Sequence, residues 1–80
     1  MAKVVLPDDF VQLTDGVREL DSEAAVYRDL VNELKRRFPQ LADKLDRTAV
    51  AIDGQIYQDP FLEPLAADAE VYFVSRIGGG

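Results

Sequence analysis

The sequence predicts an α+β domain, a mixed sheet of four to five strands packed on one main helix. Three observations predict it. Short β-branched runs open the chain, recur near its middle and close it. One long stretch, from Ala25 to Phe38, repeats apolar residues at helical spacing. The resulting order is strand, strand, helix, strand, short strand, strand, in which one helix covers one face of a sheet.

Each element has a local cause. Lys3 to Leu6 is β-branched and is stopped by Pro7, which suits a first strand. Phe10, Val11 and Leu13 fit either a return limb or a helical turn over the sheet end. Thr14-Asp15-Gly16 is a turn signal, because glycine accepts a positive φ and aspartate bonds its own turn. Val17 to Leu20 alternates apolar and charged residues, as a half-buried strand does. Asp21 and Ser22 are N-cap residue types ahead of the helix. Val26, Leu30, Leu34 and Phe38 form its buried stripe, widened by Val31, and Pro39 ends it. Leu41 and Leu45 suggest a second short turn beneath the sheet.

Thr48 to Ile52 reads as a strand, Asp53-Gly54 as a tight turn, and Ile56-Tyr57 as the return limb. Asp59 to Asp68 holds two prolines and reads as irregular, with Phe61, Leu62 and Leu65 expected to plug the core. Glu70 to Ser75 is the most apolar strand, which predicts a central place, parallel to the first strand. The predicted core comprises Val4, Leu6, Val26, Leu30, Leu34, Ile52, Val71 and Phe73.

Composition narrows the function classes. In 80 residues there is no cysteine, which excludes disulfides and thiolate metal sites, and no histidine, the commonest general base and metal ligand. No nucleophile–base pair can be assembled, so an enzyme acting alone is not expected. Fifteen acidic residues against nine basic ones give a net charge of −6, which repels phosphate backbones and argues against nucleic acid. That charge suits a basic groove on a protein partner, and it also serves simply for solubility. The spacing of Glu19, Asp21, Glu23 and Asp29 matches no cation-ligand pattern. Lys35, Arg36 and Arg37 suit the negative end of a helix dipole. No signal peptide or membrane span is read, and a cytoplasmic location is expected.

The segment with chemical content is the end, Ser75-Arg76-Ile77-Gly78-Gly79-Gly80. Glycine has no Cβ, so such a tail fits a narrow tunnel. Three extended residues reach about 10 Å. A frayed terminus would look similar. The opening strand ending at Pro7, Arg37-Phe38-Pro39-Gln40-Leu41, Val50-Ala51-Ile52-Asp53-Gly54 and Asp68-Ala69-Glu70-Val71 precede it in order. In these features nearly the whole chain resembles the MoaD/ThiS sulfur-carrier proteins, relatives of ubiquitin.

The resemblance implies a ubiquitin-like β-grasp domain over residues 1–77 and a flexible glycine tail over 78–80. It implies that the Gly80 carboxylate, carried on Gly79, is adenylated by a separate ubiquitin-activating-like adenylyltransferase and converted to a thiocarboxylate. ATP would be consumed by that partner, with no cofactor bound to the carrier. A sulfur-accepting synthase would then take the sulfur into molybdopterin, thiamine, a tRNA or an amino acid. The family usually ends in two glycines, so Gly78 is an extra link, worth about 3.5 Å of reach. The same terminus suits a protein modifier conjugated to lysines, or a plain interaction module. Strand alternation puts Tyr72, Val74 and Val5 on the face away from the helix, a partner-docking face unless Phe61 covers it.

Overall fold

A computed structural model describes residues 1–58 and 60–74. Five strands form one sheet: β1 (Ala2–Val5), β2 (Glu19–Ser22), β3 (Ala49–Ile52), β4 (Gln55–Tyr57) and β5 (Glu70–Val74). Their spatial order is β2-β1-β5-β3-β4. β5 lies in the centre, parallel to β1 and antiparallel to β3. The helices are α1 (Asp8–Val11), α2 (Tyr27–Arg37) and α3 (Ala42–Asp46), with a 3₁₀ turn at Pro39–Leu41 joining the last two. The sheet is mixed and its main helix is α2, as the sequence predicts.

The core forms between one face of the sheet and α2. Val4, Phe10, Leu30, Leu34, Leu41, Val50 and Val71 are fully buried. Phe73 sits between Phe10 and Tyr27, with ring centroids at 5.9 and 6.1 Å. Seven of the eight predicted core residues are buried. Val26 is the exception and is half-buried, because it precedes the helix in extended backbone. Tyr27 takes its place in the stripe. Phe38 is also only half-buried, with the Arg37 guanidinium over its ring at 5.4 Å.

Two expectations at the helix start are corrected. Asp21 and Ser22 are not N-caps; both belong to β2. The strand runs later than the Val17–Leu20 pattern suggests because it follows the β1 ladder, in which Val5 faces Glu19 and Ala2 faces Ser22. The buried Ser22 hydroxyl donates to Glu33 Oε1 at 2.7 Å and accepts from the Ala24 N–H. The helix N-terminus is satisfied from elsewhere in the chain. The Tyr27 and Arg28 N–H groups donate to the Glu63 and Phe61 carbonyls, both at 2.9 Å. Orphan amides of a first turn usually find a side-chain cap; here a distant loop supplies the acceptors.

That loop also corrects the reading of Phe61 and Leu62. Glu63 N–H donates to Pro60 O, closing a turn with Phe61 and Leu62 at its tip. The turn aims the Phe61 carbonyl at the helix start and leaves the Phe61 and Leu62 side chains exposed, so Leu65 alone of the three plugs the core.

Candidate functional site

The sheet face away from α2 is open, and its composition follows from the register. Val4, Val71, Phe73, Val50 and Ile52 point to the helix and are buried. Their alternates, Lys3, Val5, Glu70, Tyr72, Val74, Ala49 and Ala51, share the other face. Val5 pairs with Glu19 on one side and Tyr72 on the other, Tyr72 pairs with Ala51, and Ala51 with Ile56. This is a cross-strand row, Glu19–Val5–Tyr72–Ala51–Ile56. A second row joins Val74 to Ala49. A third joins Asp21, Lys3 and Glu70.

The three face residues named from the sequence therefore meet. Tyr72 is 43% exposed, Val74 is 38% exposed, and Val5 is half-buried between Glu19 and Tyr72. Phe61 is tied by its carbonyl to the start of α2, on the other side of the sheet, and is itself exposed. Ile56, 64% exposed, extends the apolar row onto the edge strand, and sequence reasoning missed it. The signal was the Asp53-Gly54 turn: its two residues fix the β3–β4 register, which sets Ile56 opposite Ala51. Both turn residues have positive φ, 50° and 87°, as a two-residue hairpin of this hand requires.

The same turn is fastened to the central strand. Asp53 N–H donates to Glu70 O at 2.9 Å, and Glu70 N–H donates to Asp53 Oδ1 at 3.0 Å. The start of β5 is thus locked before it crosses the sheet. Lys3 is the open face's lysine. Its ammonium lies 3.3 Å from Glu19 Oε1, and the hydrogen bond and charge of Glu19 hold its pKa above the ordinary lysine value. Among the described residues, no group of three or more acidic side chains is placed to hold a metal ion. No described helix is long and apolar enough to cross a membrane. Gly78, Gly79 and Gly80 lie outside the described residues, as do Ser75, Arg76 and Ile77.

The order of strands, the single long helix and the central last strand can be set beside known proteins. A family model described as the ThiS family matches residues 4–80, including the terminal glycines. The chain belongs to the ThiS family. Three solved structures share its fold. One is a chain of the BexX/CysO complex from Amycolatopsis orientalis, with a TM-score of 0.85, 11% identity and full coverage of both chains. SAMP1 from Haloferax volcanii aligns at a TM-score of 0.74 and 21% identity, covering 99% of this chain and 98% of that one. A protein assigned as molybdopterin converting factor, subunit 1, from Pyrococcus furiosus aligns at 0.73 and 26% identity, covering 95% and 97%. No curated protein matches the sequence. Family and fold together make this ThiS-family chain a ubiquitin-like β-grasp protein of the sulfur-carrier or ubiquitin-like kind.

Proposed function

We propose that this ThiS-family protein is a sulfur carrier that works through the carboxylate of Gly80. The observation that carries the reading is the family match, which runs through the glycine terminus that follows the central strand. The six residues after Val74 span at most about 21 Å, so the carboxylate stays within reach of a partner seated on the sheet.

The chemistry asks little of the carrier. A Gly80 carboxylate oxygen attacks the α-phosphorus of ATP on the activating enzyme, and pyrophosphate leaves. Hydrosulfide then attacks the acyl carbon, AMP leaves and the S–H proton is lost, which yields the thiocarboxylate. Acid, base and metal chemistry belong to the partner, in keeping with a chain that has neither histidine nor cysteine. The carrier supplies a reactive end held at a defined place, and positioning of that kind is worth several orders of magnitude in rate. Val5, Tyr72 and Val74, with Ile56, would seat the adenylyltransferase and afterwards the sulfur-accepting synthase.

Intact-mass spectrometry tests this. After incubation with its adenylyltransferase, ATP and a sulfur donor, the protein should gain the mass difference between sulfur and oxygen, and peptide mapping should place it at Gly80. Deleting Gly79 and Gly80 should abolish the gain and leave melting unchanged, since glycine has no side chain to bury in a core. A gain that survives the deletion would sink the carrier reading. Adducts to lysines of other proteins, with no thiocarboxylate formed, would instead favour a protein modifier.

A further inference from the structure

The open face is electrically lopsided along the strands. At the end where β5 begins stand Asp21 and Glu70, either side of Lys3, and Asp53 is bonded to the Glu70 N–H. Glu19 closes the β2 side of the apolar row and holds the Lys3 ammonium diagonally at 3.3 Å. Three carboxylates, of Asp21, Glu70 and Asp53, thus stand at this end, and the Lys3 ammonium among them is paired with the Glu19 carboxylate. At the other end, where β5 finishes, Val74 and Ala49 are apolar. The two ends are separated by four residues of strand, roughly 14 Å. The Debye length in physiological salt is about 8 Å, so a docking partner meets them as separate environments.

We propose that the adenylating partner's docking surface is apolar opposite Tyr72, Val74 and Ile56 and carries arginine or lysine side chains opposite Glu19, Asp21 and Glu70. This rests on the carrier reading above. The charge step decides which way round the carrier sits. Seated so that the cations meet the carboxylates, the partner lies with its apolar surface at the end where the chain runs on from Val74 toward Gly80. Turned end for end, the same contact would cover the carboxylates without counter-charge and set cations on Val74, and a buried charge left unpaired is costly. A second copy of the chain is a poor occupant, since it brings the same excess of carboxylates and a net charge of −6. The carboxylates should act mainly on encounter, through steering, and the apolar row mainly on residence time.

The test is association and dissociation kinetics with the source organism's adenylyltransferase loaded with ATP, at low and high salt. The triple variant Glu19→Gln, Asp21→Asn, Glu70→Gln should bind about tenfold more slowly at low salt, with a nearly unchanged off-rate. Lys3→Gln, which removes the cation that the described residues place on this face, should bind about two- to threefold faster. Both differences should vanish near 1 M salt, where the Debye length is about 3 Å. Tyr72→Ser should raise the off-rate at every salt concentration. Opposite signs for the triple variant and Lys3→Gln separate steering from a folding defect, and matched melting curves check the latter. If the wild type gains sulfur at Gly80 but the triple variant associates at the wild-type rate, the charge proposal falls alone. If the wild type neither binds nor gains sulfur, the carrier reading falls and takes this proposal with it. Concentration-dependent dimers that mask the face would also overturn it.

Discussion

Two residues show what single side chains contribute. Leu30 is fully buried in the middle of α2, and Leu30→Ala should cost about 2–5 kcal/mol through lost burial and a residual cavity. An 80-residue domain holds only about 4–12 kcal/mol in total, so the midpoint of a denaturant titration should move far. Asp53 holds a positive φ and accepts the Glu70 N–H. Asp53→Asn keeps both roles and should be close to neutral, whereas Asp53→Ala should cost about 1–2 kcal/mol in thermal melts. At this scale the sequence was legible where a residue's role is set by its own chemistry. The Asp53-Gly54 turn, the stripe residues Leu30 and Leu34 and the strand residues Val71 and Phe73 all read correctly. Phe61 and Leu62 did not, because hydrophobicity implies burial and only the Pro60–Glu63 hydrogen bond reveals a turn that faces them outward.

Elements were legible in kind and displaced at their borders. The start of α2 shows why. Local rules look for a capping side chain, but no side chain caps Val26, and the first amides are bonded by a loop more than thirty residues downstream. No short window of sequence contains that pairing. It has a measurable consequence: the Tyr27 and Arg28 amides should exchange hydrogen slowly, like mid-helix amides, where first-turn amides usually exchange fast. Val26→Ser should likewise fail to stabilise the protein. A new cap normally adds about 1 kcal/mol, but the Arg28 N–H is already bonded and half-buried valine contacts would be lost. A Tm higher than wild type for Val26→Ser would contradict this account.

For the whole molecule, the last strand, β5, takes the centre of the sheet, parallel to β1, and that much was readable. The apolar row of the open face was read only in part, since Ile56 joins it through pairing with Ala51 rather than through any pattern of its own. Among the described residues, all the buried hydrophobic ones but Ala49 belong to one cluster, so thermal unfolding should be one cooperative transition by far-UV and near-UV signals alike. Alkaline pH should act through Lys3. Its pKa is raised in the folded state, chiefly by the hydrogen bond with Glu19, so its contribution is present below the unfolded lysine value of about 10.4 and is lost above it. Lys3→Gln should therefore lose less stability than wild type as pH rises through that range. The effect should be small, because the pair is solvent-exposed.

The centre of the sheet is also the last strand to be synthesised. Without β5, the remaining strands are two hairpins, β1–β2 and β3–β4, that share no ladder. A nascent chain therefore waits for β5 before its two halves can join. A ribosome that stops early releases two unjoined hairpins and no glycine end, and such a fragment is an easy substrate for proteases. The sheet thus closes only once β5 has been made, so a partner that recognises the closed sheet meets no chain cut short ahead of that strand.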